Sequence, residues 1–202
     1  EPSVQDAVRN MGFGGTLVGD YCVVASCFSD YLMLVDANIG VNKANYFVDR
    51  AVTNVVRFTA DNTVSREVIA LYRNNSPPDQ LFPGGEYRNY FRALIPEGSR
   101  VESVLVDGKA VSKGDKLKDT TVANPTYYVD TYNSRGSVEL FFSVPPQTER
   151  RVNISYTLAR QFPFRSYDQA SYLMVLQKQP GTLDEAVRTI VEYPSFWQLV
   201  SE

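Results

Sequence analysis

The sequence predicts a mainly all-β protein, an antiparallel β-sandwich of immunoglobulin-like type with a small N-terminal α/β or helical appendage. Three observations lead there. Short runs of strand-forming residues recur from Tyr46 onward, at 46–59, 66–74, 86–95, 100–107, 126–132, 136–143, 149–158 and 170–178. Turn formers separate them: Asp61-Asn62, Ser76-Pro77-Pro78, Pro83-Gly84-Gly85, Pro96-Glu97-Gly98, Asp107-Gly108, Arg135-Gly136 and Pro145-Pro146. The 13 Tyr and 11 Phe supply aromatic rings that pack well on pleated surfaces. Residues 1–45 are expected to form the appendage, with a short helix and a candidate disulfide loop, and residues 46–202 the sandwich.

In chain order, Ser3 can cap a helix over 3–11, with Asp6 completing a capping-box-like pair and Gly12 ending it. Gly12-Phe13-Gly14-Gly15 reads as a turn, because Leu17 stands where a dinucleotide fingerprint needs glycine and no strand precedes it. Apolar runs follow at 16–18, 21–25 and 31–35. The last is apolar on both faces and predicts a buried strand. Val138, Leu140 and Phe142 share one face of their strand, as do Val152, Ile154 and Tyr156 of theirs. Asp107-Gly108 is a two-residue hairpin signal. Residues 183–192 read two ways. Thr182-Leu183-Asp184-Glu185 resembles a capping box opening a helix, yet 188–193 holds good strand formers.

Composition excludes several functions. The net charge is −3 with scattered basic residues, which argues against nucleic-acid binding. No apolar window approaches the ~18 residues of a membrane span. No signal peptide is visible, and a chain beginning at Glu1 is expected to be an excised or processed piece. Cys22 and Cys27, five residues apart, are expected to pair as a disulfide in an exported domain, the other reading being two buried thiols.

The chain has no histidine, which removes Ser-His-Asp and Cys-His catalysis and most zinc hydrolase sites. No metal or cofactor site is expected. Asp130, Glu139 and Asp168 could supply a carboxylate pair for glycoside hydrolysis, but 23 acidic residues make such pairs unspecific. Asp36, Asn38, Asn42 and Asn45 cluster in one loop without EF-hand spacing. They read either as oxygen ligands or as side chains bonding their own loop backbone. Tyr128 and Tyr132 share a strand face around Asp130, as a sugar-stacking or protein-contact surface would require; core packing is the alternative.

Three stretches carry a family resemblance. They are Asp30-Tyr31-Leu32-Met33-Leu34-Val35-Asp36-Ala37-Asn38 through Asn42-Lys43-Ala44-Asn45-Tyr46-Phe47-Val48; Tyr87-Arg88-Asn89-Tyr90-Phe91-Arg92-Ala93-Leu94-Ile95-Pro96-Glu97-Gly98-Ser99; and Leu176-Gln177-Lys178-Gln179-Pro180-Gly181-Thr182. Together they resemble the C-terminal portion of the bacterial domain-of-unknown-function 4012 family, over about residues 12–182. The resemblance implies an envelope protein, anchored by a membrane helix outside this chain and lying mostly on the extracellular face. It implies no catalytic residue, and it favours a strand after Thr182. Among the shared residues, Arg88, Tyr90 and Arg92 alternate onto one strand face, and Lys43 sits among asparagines.

The functional expectation is therefore a cell-surface interaction or scaffolding module without catalysis. An envelope carbohydrate-binding or carbohydrate-active accessory domain, or a pure spacer, is the alternative. The candidate contact residues are Asn38, Asn42, Lys43, Asn45, Arg88, Tyr90, Arg92, Tyr128 and Tyr132. The expected partner is a protein or an envelope polysaccharide, with self-association left open, no nucleic acid, and membrane contact only through the outside anchor.

Overall fold

Alternation of apolar and polar residues commits most of the strands to one buried face, and two sheets share the burial. The structure, a computed structural model, describes residues 3–11, 16–19, 22–115, 125–166, 169–182 and 185–200. Its strands are β1 (Cys27–Asn38), β2 (Val48–Phe58), β3 (Val64–Asn74), β4 (Tyr87–Pro96), β5 (Arg100–Val106), β6 (Lys109–Ala110), β7 (Ser112–Lys113), β8 (Thr126–Tyr132), β9 (Arg135–Val144), β10 (Glu149–Thr157), β11 (Ser171–Gln177) and β12 (Ala186–Glu192). One sheet runs β11-β1-β4-β9-β8-β7 and the other β12-β2-β3-β10-β5-β6. Their facing sides interleave into one core. Tyr72 of β3, for example, packs at 5.0 Å from Phe142 and 6.4 Å from Phe91 of the opposite sheet. The alternation read from sequence holds: Val138, Leu140, Phe142, Val152, Ile154 and Tyr156 are all buried in this core.

The all-β class is therefore as expected, but the purely antiparallel arrangement is not. β1 pairs in parallel with β11, β2 with β12, and β7 with β8, so both layers are mixed sheets. Hairpin turns enforce antiparallel neighbours, whereas a strand that arrives through a longer connection takes its direction from the crossing. β11 and β12 arrive that way, and no turn residue records their direction. β1, within the 1–45 segment, lies between β11 and β4 and puts Phe28, Leu32 and Leu34 into the shared core.

Local signals are met where the chain alone decides them. Helix α1 spans Val4–Asn10, and Ser3 Oγ donates to Asp6 Oδ2 (2.8 Å) while accepting from the Asp6 amide (3.2 Å). Asp107 and Gly108 take φ of 51° and 77° between β5 and β6, the left-handed pair a two-residue hairpin needs. Residues 186–192 form a strand rather than a helix, with the β-branched Val187, Thr189, Ile190 and Val191 paired along β2. The Gly12–Gly15 turn, residues 183 and 184, and Asp168 lie outside the described residues. Among those described, no helix is long and apolar enough to cross a membrane.

On the outer face of the first sheet, Tyr31, Met33 and Leu94 are covered by Leu17 and Val18. Gln177 of β11 holds this short segment by accepting from the Val18 amide (2.9 Å) and donating to the Thr16 carbonyl (3.0 Å), while Arg135 donates to the Val18 carbonyl (2.9 Å). The Cys22–Cys27 disulfide then ties the chain to the start of β1.

The core also contains a charge pair. Asp30 of β1 accepts from Arg66 of β3, and both side chains are wholly buried. The Tyr172 hydroxyl and the Tyr31 amide (2.6 Å) also donate to Asp30, while Arg66 Nε donates to Asn54 (2.9 Å). Burial disfavours the charged guanidinium, yet Tyr156, Asp30 and Tyr172 around it hold its pKa above the ordinary arginine value. Arg66→Met is expected to remove about 3–5 kcal/mol of stability in urea unfolding, because it leaves a buried carboxylate uncompensated. Asp30→Leu combined with Arg66→Met is expected to cost less than the single change; an equal or larger cost would contradict this account.

Candidate functional site

A cavity of about 450 Å³ opens where β1 and β2 leave the core, lined by Asp36, Asn38, Asn45, Tyr46, Asp49, Arg50, Tyr72, Tyr87, Gln179, Thr182 and Glu185 among others. Its floor is a second inter-sheet ion pair. Arg50 of β2 donates to Asp36 of β1 through Nη1 and to Glu185 through Nε (2.6 Å). Asp36 also accepts from the Tyr72 hydroxyl (2.9 Å) and from Asn89. Its carboxylate thus serves three donors, the requirement for keeping a charge near the core. Burial lowers and the neighbouring Asp36, Tyr72 and Glu185 raise the Arg50 pKa, with a net shift upward.

The wall opposite is held by a side chain acting as backbone. Just past the end of β11, Gln179 accepts from the Asp36 amide (2.7 Å) and donates to the Asp36 carbonyl (3.0 Å). Thr182 Oγ1 caps the turn by donating to the Gln179 carbonyl (2.8 Å), and Gly181 takes a φ of 81° that favours glycine. At the mouth stand Asn45, Asp49 and the ring of Tyr46, which is 74% exposed. Asp49 accepts from Asn75 (2.8 Å). The lining therefore carries three carboxylates and one guanidinium, already paired to two of them.

The sequence-derived candidates separate into two places. Asn38 and Asn45 line the cavity; Asn42 and Lys43 lie in the same loop but outside the lining. The asparagines largely organise the loop: Asn38 donates to Asn42 (3.2 Å) and Asn45 (3.3 Å), and Asn42 donates to the Glu86 carbonyl (2.8 Å) and accepts from the Ala44 amide (3.1 Å). Lys43, at φ 57°, sets its ammonium 5.6 Å from the Phe82 ring centre.

Arg88, Tyr90, Arg92, Tyr128 and Tyr132 lie on the outer face of the first sheet; Arg88, Tyr90 and Arg92 run alongside the cavity residues Asp36 and Asn38 in register but on the opposite face from the core, and none of the five lines the cavity. There Arg92 stacks between the rings of Tyr90 and Tyr132, 5.7 Å from each. Tyr90 donates to Glu139 and stacks on Phe141 at 4.6 Å. Tyr132 is exposed, but Tyr128 is buried and its hydroxyl accepts from Thr126 (3.0 Å), so the two rings do not present a joint stacking platform. Asp130 and Glu139 share this outer face on adjacent strands. Arg88 pairs with Glu86 in solvent (2.9 Å).

The residues missed from sequence are Asp36 as a pairing centre, Asp49, Arg50, Tyr72, Tyr87 and Glu185. One signal was available: an aspartate at each end of the apolar run of β1. Its arginine partners sit on other strands, with no fixed spacing to betray them. Among the described residues no group of three or more His, Cys, Asp or Glu gathers as a metal site.

No protein-family model and no curated protein matches the chain. Solved structures with partial likeness include a candidate nutrient binding protein from Legionella pneumophila, at 10% identity and TM-score 0.35 over 64% of this chain. Yeast LTA4 hydrolase in complex with bestatin gives 10% identity and TM-score 0.33 over 56%, and an M1 zinc metallopeptidase from Deinococcus radiodurans gives 14% and 0.27 over 55%. The chain spans 42%, 15% and 20% of those three proteins respectively.

Several tyrosines are held neutral. Burial first, and the nearby Asp36 second, push the Tyr72 and Tyr87 phenols above their ordinary value, and burial with the Asp30 charge does the same to Tyr172. Tyr90 is pushed up to about 12 by burial and its bond to Glu139. A phenol whose folded pKa exceeds its unfolded pKa contributes stability that is complete below the unfolded value and lost as pH rises through the folded one. Stability is therefore expected to hold to about pH 10 and to fall towards pH 12. The tyrosinate absorbance of the buried rings should then rise together with the loss of the β-sheet circular dichroism signal; ionisation of all 13 tyrosines near pH 10 with the fold intact would contradict this.

Proposed function

We propose that the chain is a non-catalytic contact module on the extracellular face of a bacterial envelope, an immunoglobulin-like scaffold that holds one polar cavity open to a partner. The observation that carries this reading is convergence. Asp36, Asn38, Asn45, Tyr46 and Val48 from the first stretch of the family resemblance, Tyr87 from the second, and Gln179 to Thr182 from the third all line the same cavity. Residues 36, 87 and 179 have no reason in sequence to meet. The disulfide supports an oxidising compartment, where such a bond persists.

The carboxylates of the floor are arranged for holding rather than for proton transfer. Asp36 is occupied by Arg50, Tyr72 and Asn89, and Glu185 by Arg50. A general acid or base must instead reach the reacting group directly. The volume suits a small polar ligand or the tip of a polymer.

A carbohydrate contact is the second reading. It is favoured by the exposed Tyr46 ring standing beside Asn45 and Asp49 at the cavity mouth, an apolar face next to hydrogen-bonding groups. The test is binding of the non-reduced protein to bacterial glycans and peptidoglycan fragments. Saturable binding that weakens about tenfold in Tyr46→Ala or Asp49→Ala is expected if sugar occupies the mouth. Absence of binding by the folded protein would rule out sugar and leave a protein segment as the occupant. Binding insensitive to both changes would place the contact elsewhere and overturn the cavity assignment.

A further inference from the structure

The two layers end differently at their two flanks. On one side the sheets finish in β6 and β7, strands of two residues each. On the other, among the described residues, they finish in β11 and β12, seven residues each. A free strand edge presents unpaired N–H and C=O groups to any other strand, and proteins commonly blunt it by shortness, lysine, proline or a bulge. β6 and β7 are blunted by length. β12, Ala-Val-Arg-Thr-Ile-Val-Glu, has no lysine, proline or glycine, and its register with β2 runs unbroken from Ala186 to Glu192. Val187 and Val191 lie opposite the buried Val52 and Val56, on the side of the sheet that faces the core, yet they stay 46% and 47% exposed. Tyr193, Phe196 and Leu199 add exposed apolar surface just beyond.

We propose that β12 is a self-pairing edge, at which two copies of this chain join antiparallel about Ile190 and extend the second sheet across the dimer. The occupant is argued from the strand's own order. With Ile190 on the two-fold, Arg188 lies opposite Glu192 of the second copy, and the pairing occurs twice. All four charges fall on the outward face with Thr53, Val55 and Arg57. On the inward face Val187 meets Tyr193, and Thr189 meets Val191. A slip by one residue would put the inward face outward. A shift of the axis by one position to Thr189 or Val191 keeps the faces but sets Arg188 against Ile190 or Pro194, and the charge match is lost. One arrangement is thus selected. Arg57 Nε already donates to Glu192 Oε2 (2.7 Å), and a carboxylate with two oxygens can accept a second guanidinium.

The test is sedimentation velocity of the 202-residue chain across the micromolar range. A dimer is expected. Arg188→Glu puts like charges opposite one another at both sites and should give monomer, with an unchanged circular dichroism spectrum showing that the fold persists. Ile190→Lys, which places two ammonium groups on the axis, should do the same. Mixing Arg188→Glu chains with Glu192→Arg chains should restore a dimer containing one of each. A wild-type chain that stays monomeric throughout overturns the proposal and leaves the edge to a strand from another protein. A dimer undiminished by Arg188→Glu and by Ile190→Lys overturns it equally.

Discussion

The structure hangs on charges that one strand carries inward. β1 places Phe28, Asp30, Leu32, Leu34 and Asp36 on its buried side, so an apolar run is closed by a carboxylate at each end. Each carboxylate reaches across the interlayer space to an arginine of the other sheet, Asp30 to Arg66 on β3 and Asp36 to Arg50 on β2. Apolar packing between two sheets tolerates small slides, since one methyl can replace another. A buried charge does not tolerate them, because a slide that separates Asp30 from Arg66 leaves two ions in a medium that cannot solvate them. The two pairs therefore pin the layers in one relative position.

The same device explains where the cavity lies. Asp30 and Arg66 are wholly enclosed and surrounded by Tyr156, Tyr172 and Asn54, so that pair only positions the sheets. Asp36 and Arg50 stand at the end of the core, where the sheets separate and the loop after β1 turns away. They keep small but real exposure there, at 13% and 8% of their side chains. A charge pair that holds two layers apart at their rim leaves room beside it, and Gln179 seals the side that would otherwise open by completing the backbone pattern of β1. The positioning of the sheets and the opening of the cavity are thus two ends of one construction.

Much of the strand pattern was legible from the chain. The eight strand segments from Tyr46 to residue 178 match β2 to β5 and β8 to β11 within about two residues at each end, because proline, glycine and asparagine turns mark where pairing must stop. The capping pair of Ser3 and Asp6 and the Asp107-Gly108 hairpin were legible for the same reason, as their partners lie within a few residues. Strand direction in β11 and β12 was not legible, since a parallel neighbour is chosen by where a long connection lands. The site was half legible. Asn38 and Asn45 belong to it, but the tyrosine and arginine face of β4 and β8 lies on the outside of the first sheet, and Tyr128 is buried there.

What the sequence determined by itself is whatever depends on neighbours in the chain: strand class, turn positions, the core-facing sets of the clearly alternating strands β9 and β10, the lack of imidazole chemistry, and the closeness of Cys22 and Cys27 that lets them bond. What only the tertiary structure decided is which distant groups meet. Asp36, Arg50, Tyr87, Gln179 and Glu185 come from separate elements and form one cavity, while Arg66 crosses the core to Asp30. The physical reason is that a charge pair or hydrogen bond between sheets acts over a few ångströms of space and leaves no period or spacing along the chain by which it could be read.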